Sequence, residues 1–153
     1  MGRISRAIVH TGIFCHNCDD DLNTSEIVLP WADTTEATSF AGRQGFVAPC
    51  EMHFISFAIR YEEIDTDHSL TLRIYSTDEG DEVADEEANF QIEGPIEATT
   101  DDFTTFYFTE TEMGDVTIPK GKNIRLSIQA NTDPGLSTTW FASSIWEFRL
   151  DPI

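Results

Sequence analysis

Basic residues, long apolar runs and helix-forming stretches are all scarce in this 153-residue chain, and each shortage closes off a class of function. Nine Lys and Arg stand against twenty-eight Asp and Glu, a formal charge of -19. Such a surface repels phosphate backbones and anionic headgroups, so neither nucleic acid nor a membrane is expected as a partner. No segment approaches the ~20 apolar residues needed to cross a bilayer. Arg3 and Arg6 are placed like the start of a secretory leader, but only Ala7, Ile8 and Val9 follow before His10 and Thr11 end the apolar run. The expectation is a soluble chain made in a cytoplasm.

Catalytic patterns are missing as well. There is no G-x-S-x-G and no H-E-x-x-H, and His10, His16, His53 and His68 are scattered. Glu62, Glu63 and Asp65 have the look of paired glycosidase carboxylates, but a chain this rich in acids yields such pairs by chance. An enzyme is not expected.

What the chain does have is aromatic and alternating. Eleven Phe, three Trp and three Tyr suit a pleated interior, and Ala/Leu/Lys/Glu-rich stretches that favour helix do not occur. The clearest stretch is 118–128, IPKGKNIRLSI: a strand end, a tight Pro-Lys-Gly turn, and a strand that alternates Ile124, Leu126 and Ile128 onto one face. Similar grammar predicts strands over 6–14 (with Gly12 suited to a bulge), 26–31, 52–61, 69–76, 89–92, 103–110 and 138–150, the last interrupted near Ser143 and Ser144. On the 52–61 strand, alternation puts Ile55, Phe57, Ile59 and Tyr61 on one face. Pro30 ends the second strand, at a sheet edge or terminus. The charge-dense 77–88 reads as an exposed connection and 132–137 as a turn. About eight short, regularly spaced strands without intervening helices predict an all-β fold: an antiparallel β-sandwich of jelly-roll type, one domain over 1–153.

The sharpest local signal joins Cys15-x-x-Cys18 to Cys50-x-x-His53. Two-residue gaps let each pair reach one tetrahedral ion, and three thiolates with an imidazole make a structural zinc set. The reading requires the first strand and the strand from Met52 to be neighbours. Strict alternation opposes it, because it throws positions 50 and 53 to opposite faces. A Cys15–Cys18 disulfide, an intersubunit bond, or three free thiols in a reducing cytoplasm compete with zinc, and no other cofactor is implied. The acidic runs 19–21 and 78–87 offer carboxylate oxygens for calcium but lack EF-hand spacing. Among the tryptophans, Trp31 follows Pro30 at a loop and is the candidate exposed platform for a sugar; Trp146, on an alternating strand, suits a core or subunit contact.

Several pieces together, namely HTGIF (10–14), IVLPWADTTE (27–36), GFVAPCEMHFISFAIRY (45–61), PKGKNIRLSI (119–128) and SIWEFRLD (144–151), resemble small jelly-roll virion proteins of tailed bacteriophages, especially marine and cyanobacterial ones. The resemblance spans most of the chain. It implies a virion structural protein assembled in the host cytoplasm, with other capsid or tail proteins as partners and a homotrimer as its oligomer. A capsid decoration or cement protein leads. A tail, neck or fibre accessory protein, or a carbohydrate-binding module for host glycans, follows. The family pattern carries no catalytic residues. The Cys-His-Asn-Cys element at 15–18 departs from it.

Overall fold

The computed structural model describes residues 8–18, 22–31, 45–61, 68–78, 90–96, 104–109, 112, 114–131 and 140–150. They form ten strands: β1 (Ile8–Asn17), β2 (Ile27–Val28), β3 (Phe46–Val47), β4 (Glu51–Tyr61), β5 (His68–Thr77), β6 (Phe90–Ile96), β7 (Thr104–Thr109), β8 (Thr117–Ile118), β9 (Asn123–Ala130) and β10 (Trp140–Leu150).

Two five-stranded sheets result, every pairing antiparallel. One runs β1-β10-β4-β7, and β8 joins it on β4. The other runs β2-β9-β5-β6, and β3 joins it on β9. Because β10 occupies one edge of β4 from Glu51 to Tyr61, β7 and β8 must share the opposite edge. By the same argument β2 and β3 share one edge of β9. Ten strands therefore fill eight lanes, and the expected count of about eight is recovered. The lanes run first-eighth-third-sixth in one sheet and second-seventh-fourth-fifth in the other, the winding of a jelly roll.

The turn between β8 and β9 shows how sequence sets local geometry. Lys122 N–H reaches back to the Pro119 carbonyl at 3.4 Å, and Gly121 has φ 87°, the left-handed conformation that this turn demands at its third position. β9 then buries Ile124, Leu126 and Ile128 completely, as the alternation predicts.

Three local expectations are corrected. Gly12 makes no bulge: β1 pairs with β10 in unbroken register from Ile8 to Asn17, and a side chain at position 12 would meet the Phe148 ring. The irregularity lies instead in the β10–β4 pairing between Ile145 and Trp146, leaving Ile55 as the extra residue on β4. β4 thus changes parity within its own length. Met52 and Phe54 face the core before the bulge and Phe57, Ile59 and Tyr61 after it, so Ile55 leaves the predicted face. Nor is β10 interrupted at Ser143 and Ser144.

One core joins the sheets, from Met52, Phe54, Phe57, Trp140 and Trp146 on one side to Ile27, Leu29, Leu72, Ile74, Leu126 and Ile128 on the other. Set into it is a polar tie. His16 on β1, 1% exposed, donates from Nδ1 to the Pro30 carbonyl just past β2, at 2.7 Å, linking the two sheets. A carbonyl can only accept, so Nδ1 carries the proton. Ser144 Oγ lies 3.0 Å from Nε2 and accepts the Trp146 indole N–H at 3.0 Å, which leaves its own proton for Nε2. Every polar atom of this group is satisfied with a neutral imidazole, and burial lowers the His16 pKa below 6.5, opposed by the Pro30 hydrogen bond.

The unfolded chain binds a proton at His16 more readily than the folded chain does. Stability therefore rises with pH through the window that ends near 6.5 and begins at the lowered folded value. Denaturant melts between pH 5 and 8 should show this slope, at most about 1.4 kcal/mol per pH unit, and His16→Gln should remove it.

Candidate functional site

The two sheets present different outer surfaces. On the β2-β9-β5-β6 sheet the outward side chains are largely covered: Val28, Thr71, Tyr75, Thr77, Arg125 and Ser127 are all buried. Glu26 organises part of this layer, accepting from the Tyr75 hydroxyl at 2.6 Å and from Ser127 Oγ, with Arg73 Nη1 at 3.7 Å. Burial and the neighbouring Glu26 carboxylate push the Tyr75 hydroxyl well above its ordinary pKa.

The outer face of the β1-β10-β4-β7 sheet is open. Antiparallel register arranges it as rows across the strands. Phe141 lies beside Arg60 in the first row; Cys15, Ser143, Ala58 and Tyr107 form the second; Ile13, Ile145, Ser56 and Thr109 form the third. Thr11, Glu147, His53 and Thr117 form the fourth, and Val9, Arg149 and Glu51 the fifth. Ile13 (67% exposed), Tyr107 (59%), Phe141 (53%) and Val9 (51%) stand out into solvent. A hollow of about 390 Å³ opens here, lined by Cys15, His16, Ala58, Arg60, Phe141, Ala142 and Ser143. In a chain with twenty-eight acids, no strand residue of the first three rows is a carboxylate, and among the described residues Glu112 alone reaches them, accepting from Thr109 N–H at 2.9 Å and Oγ1 at 3.0 Å at the β7 edge. Periodicity alone does not reveal this patch. It takes β10 and β4 between them to place Ile13 and Tyr107, distant in sequence, on one surface.

At the far end of that face lies a polar clamp. His53 Nε2 is 3.1 Å from Glu51 Oε1, and Nδ1 is 2.9 Å from Thr117 Oγ1 and 3.3 Å from Asp115 Oδ1. Hydroxyl, imidazole and carboxylate stand in the order of a nucleophile-base-acid triad. However, the Thr117 hydroxyl donates to Asp115 at 2.8 Å, and a carboxylate only accepts, so its proton is directed away from His53. That hydrogen bond is the main reason the Asp115 carboxyl sits below its usual pKa. The arrangement fastens β8 to β4. Beside it Glu147 accepts from Arg149 Nε at 2.7 Å.

The residues singled out for zinc are not gathered. β10 separates β1 from β4, so the strands are not neighbours. Cys15 and His53 share the outer face, but their β10 partners Ser143 and Glu147 are four residues apart, roughly 13 Å along the strand. Cys50 is buried, Cys18 is half-buried and packs on the core, and no disulfide joins any of the three cysteines. Among the described residues no three His, Cys, Asp or Glu side chains converge as ligands. The acidic runs 19–21 and 79–87, and Glu62, Glu63 and Asp65, lie outside the described residues. No helix among those described is long and apolar enough to cross a membrane.

Trp31 is also corrected. It is 6% exposed and not a surface platform. Its ring stacks on Phe46 (5.2 Å, 22°) and meets Phe14 and His16 edge-on at 4.9 and 5.3 Å. The loop position is real, but the chain folds over the core there, and a large apolar ring gains more from burial than from water. Among the described residues the exposed aromatics are Phe141 and Tyr107.

Taken together, the molecule is an antiparallel jelly-roll sandwich with one open face that is poor in carboxylates among the described residues. No protein-family model and no curated protein matches the chain. Solved structures do. The structure of infectious bursal disease virus Gx strain is similar with TM-score 0.50 and 14% identity, over 95% of this chain and 32% of that one. A mutant VP2 protein of the same virus, from T=1 particles, gives TM-score 0.48 and 12% identity, over 92% and 32%. Bacillus endospore appendages, disulfide-linked pili, give 0.36 and 13%, over 95% and 92%. The chain spans about a third of the length of the viral chains it matches. At 14% identity the likeness to the Gx strain structure speaks for the fold alone.

Two outcomes test these placements. Trp31→Ala should destabilise the fold by about 3–5 kcal/mol, the range for an aromatic deleted from a core, read by denaturant melts. Thiol titration of the native protein should label Cys15 first, with Cys50 reacting only on unfolding.

Proposed function

We propose that this chain is a virion structural protein of a tailed bacteriophage, a capsid decoration or cement protein that works through protein-protein contacts. The observation that carries the reading is the open face: apolar, hydroxyl and small side chains with one arginine over three rows, on a chain otherwise dominated by carboxylates. Exposed apolar surface of this kind marks a contact site. A flat sheet face with a shallow hollow fits a broad protein surface better than it fits chemistry on a small substrate. The sequence resemblance supplies the virion setting, assembly in the host cytoplasm and the trimer. The jelly-roll fold accords with it. A tail, neck or fibre accessory protein would use the same face in the same way.

A carbohydrate-binding module for host glycans is the second reading. Phe141 and Tyr107 favour it, since exposed rings give sugars a flat surface to stack on. Titration with soluble host glycans should then shift the NMR signals of these two rings, whereas the virion reading predicts no shift.

For the leading reading, particles purified from infected cells should carry the chain in a copy number set by particle symmetry, and its loss should lower their resistance to heat or osmotic shock. Phe141→Glu should weaken particle binding at least tenfold, about 1.4 kcal/mol or more. Absence of the chain from purified particles would end this proposal.

A further inference from the structure

We infer that the outer face of the β1-β10-β4-β7 sheet pairs with the same face of a second copy of this chain, two-fold, with the strands of the two copies antiparallel. The inference rests on reading the chain as a building block that acts through contacts, and it makes a second copy the partner that this face takes.

Charge argues for it in two ways. First, each copy carries -19, so two copies repel wherever carboxylates face one another. Among the described residues, the first three rows of the open face bring one, Glu112, held by Thr109 at the β7 edge of the third row and away from β1 and β10. Second, the face is polarised along its strands. Arg60 is the sole charged strand residue of the first three rows, and the last two rows carry Glu147 and Glu51, with Arg149 between them. A two-fold axis through the third row lays the first row of one copy over the fifth row of the other. Arg60 then meets the end that carries Glu51, twice over by symmetry, while Ile13 and Ile145 of both copies meet at the centre. Parallel stacking would instead place each acidic end over its like.

Size sets the strength. Five rows on four strands cover roughly 27 by 19 Å, about 500 Å² in projection. Side-chain relief raises this toward the ~800 Å² per partner of a standard interface. The pair is therefore reversible and concentration-dependent. The few ion pairs at its ends are outweighed by the net charge of each copy, so added salt strengthens the contact by screening repulsion. Face-to-face pairing is two-fold, and the trimer implied by the sequence resemblance would need a different surface.

Analytical ultracentrifugation of the full chain from about 1 μM to 1 mM, at low and high salt, tests the pairing. The expected result is a monomer-dimer equilibrium that shifts toward dimer with salt. Phe141→Glu should hold the chain monomeric; should that variant fail to fold by circular dichroism, Ile13→Glu gives the same test from another strand. Arg60→Glu should raise the dissociation constant about tenfold or more, as loss of a close charge pair does. Adding Glu51→Arg to Arg60→Glu should recover most of that loss. A wild type that stays monomeric throughout would overturn the inference. So would a multimer unmoved by Phe141→Glu, or a double variant no tighter than Arg60→Glu. These outcomes are independent of particle binding: a monomer still found on particles sinks the pairing alone, and a dimer absent from particles sinks the virion reading alone.

Discussion

The burial of His16 as a neutral imidazole ties the first strand of one sheet to the end of the second strand in the other, and the aromatic core is arranged around that tie. Its ring meets Trp31 edge-on and lies 6.3 Å from Phe57, while Ser144, its hydroxyl partner, also receives the Trp146 indole. Phe14, Phe46 and Trp31 then stack outward from it. A buried polar group is tolerable only when its hydrogen bonds are complete, and here His16 has one partner on β10 and the other in the segment just past β2. The tie thus fixes how the two layers sit on one another, which apolar contact alone would leave looser.

The two outer faces follow from the same layering. One is a polar layer organised by Glu26, with side chains that are buried although they point away from the core. The other is an open surface of small, hydroxyl and apolar groups. Self-repulsion from the rest of the chain confines close contact to places where carboxylates are scarce. Composition therefore acts as a filter on where partners can sit, and the sheet register decides which face passes it.

Much of the fold was legible in advance. The alternation of Ile124, Leu126 and Ile128 and the Pro-Lys-Gly turn led directly to β8, β9 and the positive φ of Gly121, because each is a local requirement of neighbouring residues. What local pattern missed is equally specific. The bulge at Ile55 reverses the parity of β4, and it arises from the pairing with β10, not from the residues of β4 themselves. Gly12 looked like a bulge and is instead a close approach to Phe148, a residue 136 positions away. The cysteine and histidine spacing suggested convergence, yet β10 lies between the two halves of that set. Trp31 was placed outside by its loop and inside by its neighbours.

By itself, the sequence determined the strand content, the antiparallel sandwich, the excess of negative charge and the absence of familiar catalytic spacing. These depend on composition and on periodicities of two residues, which act along the chain. Only the tertiary structure decided which residues share a surface: that Ile13, Tyr107 and Phe141 lie together, that Cys15 and His53 do not, and that Trp31 is sealed beside His16. Those relations are set by lane order and register between strands distant in sequence, where burial and hydrogen-bond completion are settled collectively.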